Sequence, residues 1–420
     1  MIPLFIELQE QYIPASDNSL CNINRINSHT ILNYLWPPIY TDDIYSHYPH
    51  TPTDFFTASP TQKAFTYSDV ILPIFTDHTT RTNCIMKLVT YLRDEVDQLA
   101  ILVGDQLYNT QDLDPQLPGN MQHFLLMWEE VIGIAREAEA QLKAGKTVGN
   151  ATPIPYQSVD ILAPVPFPTS CRDGYAFRQH VAAARRNRRI EMIPEFDQYP
   201  IFYFTNHNAI QGPGDIYCMP DHFDKLDFEL EAAVVICKPG RNIPAAEADN
   251  YIAGFMIMND MSARTLQMEE MKLNLGPAKG KDFSTVIGPM LVTPDELEHL
   301  LIPARPGHTG KNYNLKMTCR VNGVQVSEGN MGDMDWTFAE IIERCAYGAN
   351  ILPGDVIGSG TVGTGCFLEL NGTGKLNDPN YQEQWLKPGD VVEMTIDGLG
   401  TLTNTIVEED STFSILQLKK

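Results

Sequence analysis

Two glutamates, two residues apart, are the first candidates for chemistry in this chain. In Leu226-Asp-Phe-Glu-Leu-Glu231-Ala-Ala-Val-Val-Ile-Cys237 the first half alternates. Leu226, Phe228 and Leu230 face one side of a strand, and Asp227, Glu229 and Glu231 face the other. Glu229 and Glu231 then lie about 7 Å apart at Cα, close enough for both carboxylates to share one ion. A solvated strand face would also carry such a pair. The apolar continuation from Ala232 to Cys237 argues instead for a buried strand, and buried paired carboxylates need a cation.

Three more groups carry suitable residue types. Ala253-Gly-Phe-Met-Ile-Met-Asn-Asp260 reads as an apolar strand that turns into a helix at Met261-Ser-Ala-Arg264-Thr-Leu-Gln267. Asp260, Arg264 and Gln267 then fall at i, i+4 and i+7 on one helical face, which also suits an N-cap aspartate with an i,i+4 ion pair. Asp173 and His180, in Asp173-Gly-Tyr175-Ala-Phe-Arg-Gln-His180, are predicted on one face of two helical turns. A histidine beside a carboxylate–metal cluster is a candidate general base. Lys281 follows Gly280 on a glycine-rich loop, where by itself it reads as a surface lysine.

Two phosphate motifs are set aside. Gly358-Ser-Gly360-Thr-Val-Gly363 matches a dinucleotide fingerprint, but Cys366-Phe-Leu-Glu-Leu370 behind it reads as a strand where that fingerprint needs a helix. Gly276-Pro-Ala-Lys-Gly280-Lys281 is one residue short of a P-loop and lacks its Ser/Thr. With 53 acidic against 30 basic residues and net charge -23, nucleic acid and anionic membrane surfaces are excluded as main partners. A small anionic substrate would need a local cation. The eight cysteines have no CxxC pair and no zinc spacing, so they read as reduced thiols. No run approaches the ~20 apolar residues of a membrane span, and the start lacks a basic n-region. The expected location is cytoplasmic.

In this order, Glu-Leu-Glu, Met-Asn-Asp-x-Ser-Ala-Arg-x-x-Gln and Gly-Lys-x-Phe resemble the fumarylacetoacetate hydrolase family. The resemblance runs over about residues 86–420. It is densest from Cys171 to Leu297 and returns at Ser359-Gly-Thr361 and Leu368-Glu369-Leu370. It implies an α+β, mostly β fold: a mixed β-sandwich roll preceded by a small α+β domain, usually dimeric. It further implies Asp173, Glu229, Glu231 and Asp260 as metal ligands, a hard oxygen set suited to Mg²⁺, Ca²⁺ or Mn²⁺. His180 matches the general base and Glu369 the carboxylate that orients it. Arg264, Gln267 and Lys281 match groups around the substrate carbonyls and oxyanion, and Tyr175 and Thr361 match substrate contacts. The chain departs from the fumarylacetoacetate-cleaving members at Gly174, where they have an aromatic residue, and at Met271, where they have a substrate-binding tyrosine.

The implied reaction is hydrolysis of a carbon–carbon bond in a β-diketo acid or acylpyruvate. A divalent ion acts as Lewis acid and template, His180 activates water, Lys281 and Gln267 steady the oxyanion, and Arg264 takes a substrate carboxylate. The alternative is a decarboxylase, hydratase or isomerase of a 2-oxo acid working with the same site.

The elements that must position these residues divide the chain. All 29 glycines lie after residue 85, where about six would be expected before it. Residues 1–85 therefore read as an extension dispensable for catalysis. Residues 86–150 read as the small domain, with strands at 86–92 and 99–103 and a helix capped by Asn120 and ended by Gly145. Residues 157–420 read as the catalytic domain of many short strands. Its signals are the Asn322-Gly323 hairpin turn, Pro-Gly-Asp before strands at 353–355 and 388–390, a capping box at Thr337–Glu340, and a helix start at Thr293-Pro294.

Overall fold

A computed structural model describes residues 86–418. The expectation for residues 1–85 lies outside the described residues.

Strands β1 (Lys87–Arg93), β2 (Val96–Val103) and β3 (Gln106–Asn109) form an antiparallel meander. They do not make a small sheet of their own. β1 pairs with a strand 200 residues on, so the meander extends the central sheet. The predicted helix follows, with the Asn120 side chain accepting the His123 N–H. It is broken at Met127 into α1 (Met121–Leu126) and α2 (Trp128–Lys143), and Gly145 ends it at φ +73. Val131, Ala135 and Ala138 are the buried stripe of α2, as their 3.6-residue spacing requires.

The central sheet continues through β4 (Ser170–Gly174), β5 (Phe202–Thr205), β7 (Leu230–Ile236), β8 (Ile252–Asp260), β9 (Thr285–Val292) and β12 (Asp355–Gly358), in the spatial order β3-β2-β1-β9-β8-β7-β12-β4-β5. A second sheet has the order β11-β10-β13-β14-β6, built from β6 (Gly214–Cys218), β10 (Lys316–Val321), β11 (Val324–Asn330), β13 (Val391–Ile396) and β14 (Gly400–Glu408). Asn322 and Gly323 make the predicted β10–β11 turn with φ +53 and +77, as a type I′ turn demands.

β7 is buried on both faces, which is why its sequence loses alternation. Leu230, Ala232, Val234 and Ile236 join one apolar core with the second sheet and α5 (Phe338–Ala346). Ala233 and Val235 join another with β1, β2, α1 and α2. Thr337 opens α5 through the expected capping box with Glu340. The helix expected at Thr293-Pro294 is a 3₁₀ helix, Pro294–Leu300.

Three local expectations are corrected. Residues 366–370 are not a strand: α6 spans Phe367–Asn377. A short apolar run does not distinguish strand from helix, and the cap that starts α6 comes from Asp227, far away in sequence. Asp173 and His180 do not share a helix, because Asp173 lies in β4 and His180 in α3 (Arg178–Asn187). Asp260 ends β8, while Arg264 and Gln267 belong to α4 (Arg264–Met271), whose N-cap is Ala263. The proposed Asp260–Arg264 pair does not form; Arg264 binds other carboxylates.

Glu139 of α2 gives a pH-dependent prediction. It is 1% exposed, and burial pushes its carboxyl up to about 7 against the pull of Lys143 at 3.0 Å. The unfolded chain releases this proton near 4.5, so the folded chain binds more protons between there and about 7. The stability contributed by this group is complete at low pH and is lost as pH rises through that window. Glu139→Gln should raise the melting temperature above about pH 8, by about 2–4 °C per kcal/mol, and flatten the decline. A melting temperature lowered equally at every pH would refute this.

Candidate active site

Four central strands deliver their ends to one place. β7 runs antiparallel to β8 and β12, and β12 runs parallel to β4. The start of β7 (Glu231) therefore meets the ends of β8 (Asp260), β12 (Gly358) and β4 (Asp173). Carboxylate oxygens of Asp173, Glu231 and Asp260 all lie within 4.8 Å of one another. Gly358 allows this approach: a Cβ there would stand 2.4 Å from Asp173 Oδ1. The Gly360 N–H donates to that same oxygen at 3.0 Å. The glycine run that mimics a dinucleotide fingerprint is thus packed around Asp173. The helix behind it is already capped, since Asp227 accepts the N–H groups of Phe367 and Leu368 at 2.7 and 2.9 Å. No pyrophosphate fits that helix end.

Asp173 lines a cavity of about 780 Å³, whereas Glu231 and Asp260 have no exposure. Thr361 Oγ1 donates to Glu231 Oε1 at 3.2 Å, and the Tyr203 hydroxyl donates to Asp260. Glu231 Oε2 and Asp260 Oδ1 are buried without a hydrogen-bond partner. Burial and the Asp260 charge push Asp173 up to about 7. Burial and the charges of Asp173 and Asp260 hold Glu231 well above the usual carboxylate range. Crowded oxygen ligands with unsatisfied lone pairs and mutual repulsion are what a hard divalent cation relieves. The residues fit the ion.

Glu229, the fourth expected ligand, is placed differently. Its Oε1 accepts from Arg264 at 2.8 Å and its Oε2 from Lys281. Burial alone would raise its carboxyl, but Lys281 and Arg264 outweigh it and hold Glu229 well below the usual range. Lys281 also donates to Asp260 at 2.6 Å and is 4% exposed, so it is not a surface lysine. Gly280 explains the local sequence: a Cβ there would stand 2.5 Å from the Gln267 backbone nitrogen. Only a glycine lets this loop press against α4 and send the next side chain inward.

Arg264 is 3% exposed and binds Asp227 and Glu229 at 2.7 and 2.8 Å. It also donates to Gln267 Oε1 at 3.0 Å. These contacts fix Glu229 and Gln267, and Arg264 itself also lines the cavity. His180 Nδ1 lies 2.6 Å from Glu369 Oε2, and both residues line the cavity with Tyr175, Gln267, Lys281 and Thr361. Glu369 is itself fixed through its Oε1, which accepts the Thr364 N–H at 3.0 Å. Sequence reasoning passed over Tyr203 and Asp227. Asp227 shares the alternation that marks Glu229 and Glu231, so its signal was present; Tyr203 reaches Asp260 only through the β4–β5 pairing opposite Asp173.

Residues 169–407 match the model of the fumarylacetoacetate hydrolase C-terminal domain. The chain belongs to the fumarylacetoacetate hydrolase family. Within that family, rat mitochondrial oxaloacetate tautomerase Fahd2a is 32% identical over 310 residues, covering 73% of this chain and 85% of that protein. Oxaloacetate tautomerase YisK of Bacillus subtilis is 30% identical over 297 residues, covering 69% and 87%. The fold matches maleylpyruvate hydrolase from Sphingobium sp. SYK-6, solved with manganese(II) and pyruvate, at TM-score 0.54 and 20% identity over 77% of this chain and all of that one. Among the described residues no helix is long and apolar enough to cross a membrane.

The carboxylate group gives a direct prediction. Glu231→Gln keeps the shape and removes one charge. Divalent-ion affinity, measured by calorimetry with Mg²⁺ or Mn²⁺, should weaken at least about tenfold, or about 1.4 kcal/mol. Unchanged affinity would sink the ion site.

Proposed function

We propose that this protein is an isomerase that moves a proton between carbon and oxygen in a 2-oxo acid of the oxaloacetate type, interconverting its keto and enol forms. The observation that carries this reading is the His180–Glu369 dyad, opening into the same cavity as the Asp173 carboxylate. Tautomerisation needs one base that can return its proton as an acid. With Nδ1 donating to Glu369, the Nε2 lone pair is the base. The electron pair of the C–H bond becomes the enol double bond as His180 takes the proton, and the Glu369 carboxylate stabilises the resulting imidazolium. Asp173, Glu231 and Asp260 would hold a divalent ion, which would supply Lewis acidity to the substrate. Lys281, held by Glu229 and Asp260, keeps a fixed positive charge beside the developing oxyanion. Gln267, oriented by Arg264, offers its amide to the same substrate.

The two tautomerase relatives support this reading over hydrolysis of an acylpyruvate, which needs in addition a placed water and a carbon leaving group. The test follows the ultraviolet absorbance of enol-oxaloacetate with Mg²⁺ or Mn²⁺, beside acylpyruvates and fumarylacetoacetate. Accelerated decay of the enol without pyruvate release supports the isomerase. Cleavage of an acylpyruvate with no effect on enol decay overturns it in favour of the hydrolase.

A further inference from the structure

The cavity is larger than the proposed chemistry needs. At about 780 Å³ it falls among pockets that take drug-sized ligands, whereas a small acid such as oxaloacetate needs only the end beside His180 and Lys281. The other end has an apolar wall. Met268 and Met271 of α4, Leu368 of α6 and Trp385 of the loop after it all line the cavity. On α4, Arg264, Gln267, Met268 and Met271 recur at helical spacing on one face. The polar pair stands nearer the helix start, and Met271 lies about 6 Å beyond Gln267 along the axis. Met268 and Met271 are 38% and 48% exposed. Exposed apolar side chains grouped at a cavity mark a ligand groove.

Trp385 is fixed from three directions. Its indole Nε1 donates to Glu383 Oε2 at 3.1 Å. Before it, the Gln384 backbone exchanges two hydrogen bonds with the Asn371 side chain, which is 2% exposed on α6. After it, the Leu386 N–H donates to the carbonyl of Leu226 at 2.9 Å, just ahead of Asp227 and Glu229. Lys225 Nζ stands 5.8 Å from the ring centroid. The indole is therefore a preorganised aromatic platform, and little ordering remains to oppose binding against it.

We propose that this wall is a subsite for an aromatic ring, and that the protein also isomerises 2-oxo acids carrying an aryl group on C3, of the phenylpyruvate type. The turnover rests on the isomerase reading; the binding of the ring does not. Trp385 suits an aromatic partner in edge or offset contact. The two thioethers are flexible enough to follow a planar ring and add sulfur–aromatic contact. The step needs no co-reactant. His180 takes the C3 proton, the C–H electron pair becomes the C2–C3 double bond, and the carbonyl oxygen gains a proton. An aryl group on C3 conjugates with that double bond, so the substituent that the wall receives also stabilises the enol.

The test uses the full chain held at saturating Mg²⁺. Calorimetry compares lactate with 3-phenyllactate, which differ by the ring and have no carbonyl to enolise. 3-Phenyllactate should bind at least about tenfold tighter, the lower end of what burying an aromatic ring supplies. Trp385→Ala and Met271→Ser should each remove most of that advantage; the second changes an exposed side chain, so it keeps the fold. The decay of enol-phenylpyruvate, followed by its ultraviolet absorbance, should be accelerated. In Trp385→Ala the ratio of kcat/KM for phenylpyruvate to that for oxaloacetate should fall at least about tenfold. Equal affinity for the two hydroxy acids overturns the subsite, as does an advantage that survives both substitutions. Acceleration of enol-oxaloacetate alone overturns the aryl activity. Ring-dependent binding with neither enol accelerated upholds the subsite and overturns the isomerase reading, and the aryl turnover with it.

Discussion

Replacing His180 with alanine should lower kcat for enol-oxaloacetate by roughly 10²–10⁴-fold, the usual range for a general acid–base group. The residue is 8% exposed, lines the cavity and is held by Glu369 at 2.6 Å. No other histidine lines that cavity among the described residues. Asp173, Glu231 and Asp260 make no hydrogen bond to His180, so Mg²⁺ affinity should stay unchanged while turnover falls. KM should move little, because the substitution leaves Lys281 and the carboxylates that would hold the ion in place. This split distinguishes a base from a residue that merely shapes the pocket. Glu369→Gln should reproduce part of the loss, since an amide holds the ring but stabilises the imidazolium less. Turnover in His180→Ala within threefold of the unmutated rate would falsify the assignment.

The residues of this site were legible where one strand carries them and illegible where the fold brings them from elsewhere. The alternation of Asp227, Glu229 and Glu231 fixes which side chains share a face, and the apolar run behind them correctly implies burial. Turn chemistry was equally plain: Asn322-Gly323, the Thr337 capping box and the Asn120 cap all act locally. The division of labour among the acids could not be read locally. Glu229 and Glu231 look equivalent in sequence, yet Arg264 and Lys281 claim Glu229 and leave Glu231 with Asp173 and Asp260. Lys281 depends on Gly280 meeting α4, a contact no spacing reveals. The helix at Phe367 was missed for the same reason, since its cap is contributed by a side chain 140 positions earlier.

That cap carries the largest stability effect expected in the molecule. Asp227 has no exposure and satisfies four donors. Its Oδ1 accepts the N–H groups of Phe228 and Phe367 at 3.0 and 2.7 Å, and its Oδ2 accepts Leu368 N–H at 2.9 Å and Arg264 Nε at 2.8 Å. Asparagine matches the shape but has only one acceptor oxygen. In either orientation its NH₂ group must face two of these donors, leaving buried N–H groups unpaired and Arg264 short of a counter-charge. Breaking a buried ion pair from one side costs about 3–5 kcal/mol, and loss of the helix cap adds about 1 kcal/mol. Asp227→Asn should therefore lose about 4 kcal/mol or more in chemical denaturation. The loss should also reach catalysis. α6 carries Glu369 one turn from the cap, so a frayed first turn loosens the hold on His180 and lowers kcat even below the melting transition. Arg264→Met separates the two contributions: it removes the cation but leaves the cap, so it should cost stability while keeping α6 in place. If Asp227→Asn lies within about 1 kcal/mol of the unmutated protein, the strand, the helix and the arginine are not joined through this carboxylate.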